Sequence, residues 1–164
     1  MSNRTISVMF VCMGNVCRSP AAHAVFMHKL RERGLEEQVL VASSGTIAYH
    51  TGEPADPRMI QELARNGVES VSRAQQFTLE DFSRYDLILA MDRRNYESLK
   101  EMAANGNCQY FSRVRLFRDF DPEGPGDVPD PYYGGRSGFA EVFRMVDRTT
   151  DYLLDRIFAG ELVP

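Results

Sequence analysis

A cysteine, an arginine and a serine lie close together near the amino terminus, in the segment CMGNVCRSP of residues 12–20. Cys12 and Arg18 are separated by five residues, and Ser19 follows directly. The nucleophilic form of cysteine is the thiolate, which is favoured by backbone N–H groups, a helix amino terminus and a nearby cation. The same groups attract a dianion. The spacing therefore indicates a loop in which a nucleophile and an anion-binding site coincide.

The other residues of this loop have physical reasons of their own. Gly14 is expected to let the backbone turn its amide groups inward, because glycine tolerates positive φ. Arg18 offers a planar fork that matches two phosphoryl oxygens. Ser19-Pro20 predicts a helix N-cap followed by proline at the first helical position, and the Ser19 hydroxyl is an alternative donor to the Cys12 sulfur. Taken singly, each of these residues is more typical of a structural role, a buried cysteine followed by a capped helix. The whole segment CMGNVCRSP, between a strand and a helix, favours a catalytic role.

Strands and helices alternate along the chain. An apolar run at Ile6–Val11 precedes the loop, and an amphipathic segment at Ala21–Leu30 follows it. Three further segments predict strands; these are Val39–Val41 running into a loop at Ser43–Thr46, Asp86–Met91, and a weaker strand at Arg113–Phe117. Asp56-Pro57 predicts the start of a helix, and a long last helix is predicted at Gly138–Ala159. This alternation predicts an α/β fold, a four-stranded parallel sheet with helices on both faces. Ligands of such sheets bind beyond the carboxyl ends of strands, where the Cys12 loop lies.

Length and composition limit the classes of protein to which the chain can belong. Its 164 residues are expected to form one domain, residues 1–164. A net charge of −4 argues against a nucleic-acid partner, and no apolar stretch is long enough to span a membrane. Three cysteines cannot complete a disulfide framework. We therefore expect a cytoplasmic protein, in a compartment where a catalytic thiol stays reduced.

The loop resembles the signature of the low-molecular-weight protein tyrosine phosphatases, which reads close to V-C-x-G-N-x-C-R-S-P. The resemblance continues at Asp130-Pro131-Tyr132-Tyr133-Gly134 and over most of the chain. It implies a phosphotyrosine phosphatase I-like, Rossmann-like fold and a cysteinyl-phosphate mechanism with no cofactor and no metal. The implied partners are a phosphotyrosine-containing protein, a tyrosine kinase among the candidates, and phosphate or other oxyanions in the loop.

The resemblance also implies roles for individual residues. The catalytic residues are Cys12 as nucleophile, Arg18 as phosphate clamp and Asp130 as general acid; the sequence alone left Asp119, Asp121 and Asp127 open as well. The substrate-binding residues are Met13, Gly14, Asn15, Val16, Cys17, Tyr49, Tyr132 and Tyr133. Ser19 and Ser43 are supporting residues, and Asn15 is expected to stabilise the loop by a hydrogen bond to Ser43. His23, His28 and His50 are expected to be exposed or on a helix face.

Several points stay open at this level. Ser72 and Gln75 replace a histidine and an arginine found in one branch of the family, which puts part of the loop's support in doubt. Cys17 is either a packing residue or the partner of a protective disulfide with Cys12. The alternative functions are a thiol-dependent arsenate reductase, which needs further relay cysteines; a phosphoarginine phosphatase, which the apolar Val16 disfavours; and a non-catalytic phosphate-binding module.

Overall fold

A computed structural model describes residues 5–132 and 134–161 of the chain. Its centre is a four-stranded parallel sheet in the order β2-β1-β3-β4, which confirms the predicted fold class. The strands are β1 (Ile6–Cys12), β2 (Val39–Gly45), β3 (Leu87–Ala90) and β4 (Val114–Leu116). The helices are α1 (Arg18–Glu32), α2 (Pro57–Arg65), α3 (Asp81–Arg84), α4 (Arg93–Asn105) and α5 (Arg136–Phe158). None of the helices in the described ranges is long and apolar enough to cross a membrane.

β1 is buried on both faces, as its nearly continuous apolar sequence predicts. Phe10 packs edge-on against Phe26 of α1 at a ring distance of 5.6 Å, on the face covered by α1 and α5. Met9 points to the opposite face and belongs to the same core cluster as Leu99 of α4. Helices therefore cover both faces of the sheet. β1 is a central strand, between β2 and β3, so its carboxyl end lies between the carboxyl ends of these two neighbours.

Helix starts and strand ends follow local signals in some places and tertiary contacts in others. Asp56 caps α2 as predicted, since its carboxylate accepts from Arg58 N at 2.8 Å and Pro57 takes the first helical position. β2 is longer than predicted and includes the residues expected to form a loop, because Ser44 and Gly45 pair in register with Val11 and Cys12. The weak fourth strand is shorter than predicted and lies between two 3₁₀ turns, Phe111–Arg113 and Phe117–Phe120.

The start of α1 also differs from the prediction. The helix begins at Arg18 with Cys17 in the N-cap position and no side-chain cap, so Pro20 is the third helical residue. The prediction of Ser19 as N-cap is therefore wrong. The physical reason is that the Ser19 hydroxyl lies within the loop, where it meets Cys12 and Asn15 rather than the helix backbone.

Candidate active site

The loop of residues 12–18 joins the carboxyl end of β1 to the amino end of α1 and surrounds the Cys12 sulfur. The Asn15 N–H donates to Cys12 Sγ at 3.2 Å, and Ser19 Oγ lies 3.0 Å from the same sulfur. The Cys12 side chain is almost fully buried, with an exposed fraction of 2%. Hydrogen-bond donors at these distances stabilise a thiolate and would stabilise an oxyanion bound beside it.

Asn15, and not Gly14, takes the left-handed backbone conformation of the loop, with φ at 59°. The sequence-based expectation for Gly14 was therefore wrong, and asparagine is the non-glycine residue that tolerates this region best. A Cβ at Gly14 would lie 3.1 Å from His50 Cδ2, a tight contact that a small shift of the His50 ring would relieve. Glycine is required more strictly at Gly45 of β2, because a Cβ there would lie 2.6 Å from the Met13 carbonyl oxygen, a backbone atom.

The Asn15 side chain fixes this conformation from two sides. Its Nδ2 donates to Ser19 Oγ at 2.8 Å, and its Oδ1 accepts from the Gln75 backbone N–H at 3.0 Å. The predicted partner Ser43 does not contact it: Ser43 Oγ lies 3.0 Å from His23 Nδ1 instead. Gln75 also donates from Nε2 to the Ser43 carbonyl at 3.0 Å, so this residue supports the loop through both backbone and side chain. Ser72 adds nothing visible, since its buried hydroxyl finds no partner among the described residues.

Arg18 is buried, and its guanidinium is hydrogen-bonded through Nη1. Its Nη1 donates to Asp92 Oδ2 at 2.6 Å and to the Val128 carbonyl at 3.1 Å. Its Nη2 lies 3.6 Å from Asp130 Oδ2. Burial acts to lower the pKa of the guanidinium, but the negative charges of Cys12, Asp92 and Asp130 raise it above its ordinary value, so Arg18 stays charged.

Asp130 lies at the edge of the same cavity, with 35% of its side chain exposed. Its Oδ1 accepts from the Tyr132 backbone N–H at 3.0 Å, a local turn that fixes the carboxylate two residues before that tyrosine. Its Oδ2 is the oxygen near Arg18, and Asp130 lines the same cavity as Cys12. A carboxyl group in this place is able to exchange a proton with an oxygen bound in the cavity.

The cavity above Cys12 has a volume of about 250 Å³. The predicted residues that line it are Cys12, Met13, Gly14, Val16, Cys17, Arg18, Tyr49, Asp130 and Tyr132. Asn15 and Ser43 are buried and do not line the cavity, while Tyr133 falls outside the described residues. Tyr49 lines the cavity but is 82% exposed, which places it at the mouth, and its ring lies edge-on to the His50 ring with the centroids 4.8 Å apart.

Sequence reasoning missed several residues of this site. Ile47 and His50 both line the cavity. His50 is half-buried and lies in a turn, so it is neither fully exposed nor on a helix. Its Nδ1 lies 2.6 Å from Glu53 Oε2. Asp92 was missed as the partner of Arg18, although it lies two residues after the end of β3, the strand next to β1. That position at the carboxyl end of a neighbouring parallel strand was a signal available in the sequence. Ile47 carries no such signal.

Cys17 lies in the cavity wall and is 3% exposed. Burial raises the pKa of its thiol far above the ordinary value, and the nearby charges of Asp56 and Cys12 raise it further. Cys17 is therefore a neutral thiol at neutral pH, in contrast to a nucleophile. Within residues 5–132 and 134–161, no group of three or more His, Cys, Asp or Glu side chains is placed to hold a metal ion.

The family model and the curated relative that match this chain both belong to one family of phosphatases. The model of the low molecular weight phosphotyrosine protein phosphatases matches residues 7–161. A low molecular weight protein-tyrosine-phosphatase of Streptomyces coelicolor is 44% identical over 153 residues, 92% of this chain and 92% of that protein.

Solved structures resemble the fold over nearly its whole length. A protein tyrosine phosphatase of Entamoeba histolytica has a TM-score of 0.89 and 35% identity over 96% of this chain and all of that chain. A Drosophila arginine phosphatase has a TM-score of 0.85 and 28% identity over 92% of this chain and 96% of that chain. With the family model covering the sheet, the Cys12 loop and Asp130, the chain belongs to the low-molecular-weight phosphotyrosine protein phosphatase family.

Proposed function

We propose that this chain hydrolyses phosphotyrosine in proteins through a cysteinyl-phosphate intermediate. The observation that carries the proposal is the convergence of three side chains on one cavity: the hydrogen-bonded Cys12 sulfur, the Arg18 guanidinium and the Asp130 carboxyl group. A nucleophile, a fixed cation and a proton donor are the three groups that phosphoryl transfer from a phenol requires.

In the first step, the phosphoryl group of the substrate occupies the loop, and the Cys12 thiolate attacks phosphorus in line with the tyrosyl oxygen. The S–P bond forms as the P–O bond to tyrosine breaks, and Asp130 gives its proton to the departing oxygen. Arg18 binds the equatorial oxygens with the N–H groups of Nε and Nη2, because Asp92 and Val128 already occupy Nη1.

In the second step, Asp130 has lost its proton and acts as a base. It takes a proton from a water molecule, whose oxygen attacks phosphorus and breaks the S–P bond. Inorganic phosphate leaves, and the thiolate and the protonated carboxyl group are regenerated. The loop N–H groups and Arg18 stabilise the transferring phosphoryl group in both steps, so one preorganised site serves both reactions.

The walls of the cavity favour a phenyl ring. Met13, Val16, Tyr49 and Tyr132 present apolar or aromatic surface between the mouth and the sulfur, and aromatic pairs add about 0.5–1.5 kcal/mol beyond their buried area. Family resemblance adds Tyr133 to the proposed substrate-binding residues. The depth favours phosphotyrosine over phosphoserine, whose shorter side chain would not bring its phosphate to the loop.

The substrate partner is a phosphoprotein, and a phosphorylated tyrosine kinase is one proposed example. The single domain of residues 1–164 is the proposed catalytic unit. We place it in the cytoplasm, because a reducing compartment keeps Cys12 in the active thiol form. These assignments rest on the chemistry of the site and the family.

The deciding experiment measures phosphate release from phosphotyrosine, phosphoserine and phosphoarginine peptides, and reduction of arsenate, in reducing buffer with a chelator. We expect turnover of phosphotyrosine only, unaffected by the chelator. Cys12→Ser should abolish turnover and keep binding of inorganic phosphate. Hydrolysis of phosphoarginine in preference to phosphotyrosine would favour the function of the Drosophila neighbour, and normal turnover by Cys12→Ser would refute the nucleophile assignment.

A further inference from the structure

Arg58 lies outside the cavity, yet it contacts the segment that carries Asp130. It is the second residue of α2, and its Nη2 donates to the Tyr132 carbonyl oxygen at 2.9 Å. The Tyr132 N–H in turn donates to Asp130 Oδ1 at 3.0 Å. The backbone of Tyr132 therefore accepts a hydrogen bond from Arg58 at its carbonyl oxygen and donates one to Asp130 from its N–H group.

The same guanidinium is fixed to the base of α2. Arg58 Nε and Nη2 donate to Asp56 Oδ1 and Oδ2 at 3.1 and 2.9 Å, a bidentate pair of defined geometry. Its planar group also lies 4.7 Å from the centre of the Phe139 ring in α5 and 5.6 Å from the Tyr132 ring. Contacts with a carboxylate, a carbonyl and two rings leave the side chain little freedom.

Asp56 connects this arrangement to the nucleophile loop. Its backbone N–H donates to the Val16 carbonyl oxygen at 2.8 Å, between Cys12 and Arg18 in sequence. A continuous path of hydrogen bonds thus runs from the loop through Asp56 and Arg58 to Tyr132 and Asp130. Loops are the mobile parts of such folds, and a misplacement of about 1 Å at a reacting group can lower a rate about 10²-fold.

We propose that Arg58 is a positioning residue, which holds the Asp130 carboxyl group and the Tyr132 ring at a fixed distance from the Cys12 loop. The proposal rests on the proposed function, in which Asp130 protonates the leaving group. Removal of Arg58 impairs the step in which Asp130 gives its proton, while phosphate binding in the loop stays intact.

The test compares Arg58→Met and Arg58→Lys with the wild-type protein on aryl phosphates of increasing leaving-group basicity. For Arg58→Met we expect kcat/KM to fall roughly tenfold on the most basic leaving group and to stay within about twofold on the most acidic one. Inhibition by inorganic phosphate should be unchanged. Lysine keeps the charge but not the fork, so Arg58→Lys should be intermediate.

Two further variants separate positioning from general damage. Arg65→Met removes another arginine of α2, which pairs with Glu62 within the helix, and should keep the wild-type dependence on leaving group. In an Asp130→Ala background, Arg58→Met should have almost no further effect, since both changes act through the same proton.

Equal losses on all leaving groups, weaker phosphate inhibition, or additive effects with Asp130→Ala would overturn the proposal. If Arg58→Met does not fold, the dependence of Arg58→Lys on the leaving group decides. Lack of wild-type turnover would instead refute the proposed function, so the two failures are distinguishable.

Discussion

The Arg18 guanidinium donates from Nη1 to Asp92 Oδ2 across 2.6 Å, and this buried ion pair joins the nucleophile loop to the start of α4. The other oxygen of Asp92 caps that helix by accepting from Asn95 N at 2.7 Å. One carboxylate therefore holds a helix end and sets the orientation of the phosphate-binding fork. As a result, the position of α4 determines which N–H groups of Arg18 face the cavity.

Replacement of Asp92 by asparagine should distinguish the orientation of the Arg18 guanidinium from its electrostatic attraction for phosphate. Asparagine caps helices as well as aspartate does, so α4 should stay intact. We expect kcat to fall roughly tenfold because the fork is less well fixed, while KM is not raised, since removing a negative charge does not weaken the attraction of phosphate. Steady-state kinetics on an aryl phosphate measure both. Asp127→Asn is the control, because Asp127 accepts from Arg93 N nearby without contacting Arg18. A raised KM with normal kcat would contradict this role.

Two replacements of Asn15 should distinguish backbone conformation from hydrogen bonding. Asn15→Gly and Asn15→Ala both remove the bonds to Ser19 and Gln75, and both should lower activity and the free energy of unfolding. Alanine at φ of 59° adds strain, so Asn15→Ala should be the less stable of the two by roughly 1 kcal/mol. Urea unfolding and kinetics measure these effects. Wild-type behaviour of Asn15→Gly would show that the side-chain bonds are dispensable.

His23 should make the fold sensitive to acid. Burial lowers the pKa of His23 from 6.5 to about 4, beside Ser43 behind the loop. Protonation is then easier in the unfolded chain, so stability should be lost as pH falls from about 6.5 to about 4, by up to about 3 kcal/mol. Urea unfolding of His23→Gln should lose this part of the pH dependence. His28, a half-buried histidine of the same helix, is the control, and His28→Gln should keep this dependence. An identical profile for all three proteins would contradict the assignment.

The sequence was sufficient where the hydrophobic pattern is local. β1 and β3 are apolar on both faces, and Asp56-Pro57 is a helix start in itself, so these elements were predicted correctly. The end of β2 was not, because Ser43 and Ser44 look like loop residues. They are buried only because His23 and Met9 supply partners for their hydroxyl groups.

The loop shows a similar limit. Its residue types indicated a nucleophile and an anion site, but they did not show which residue takes positive φ or where Ser19 points. Those choices depend on Gly45 and Gln75, which come close only after β2 pairs with β1. Arg58 was missed for the same reason, since its contact with Tyr132 spans 74 residues.

Replacement of Asp130 should reveal its role as the acid that protonates the leaving group. Asp130→Asn keeps the size of the side chain but has no acidic proton, so kcat/KM should fall by about 10²-fold or more for aryl phosphates with basic leaving groups and much less for those with acidic ones. Steady-state kinetics on a series of aryl phosphates measure this dependence. Equal losses on all leaving groups would assign the acid to another group.

Alkylation should distinguish the two cysteines of the loop. The two side chains are equally buried, so exposure does not separate them. The pKa of Cys17 is raised, so its thiol should resist iodoacetamide at neutral pH. The Cys12 sulfur accepts a hydrogen bond from the Asn15 N–H, which favours a reactive thiolate, so Cys12 should be modified and inorganic phosphate should protect it. Peptide mass mapping measures each site, and the half-buried Cys108 is an internal control that phosphate should not protect. Modification of Cys17 before Cys12 would contradict this assignment.

A neutral Cys17 also affects any disulfide with Cys12. Capture of an oxidised Cys12 requires the Cys17 thiolate, which is scarce at neutral pH. After a pulse of peroxide, the disulfide should therefore form slowly at neutral pH and faster as the pH rises, and Cys17→Ser should lose the activity that a reductant recovers in the wild-type protein. Equal recovery in Cys17→Ser would leave Cys17 as a packing residue of the cavity wall, because its thiol would then have no part in protecting the nucleophile.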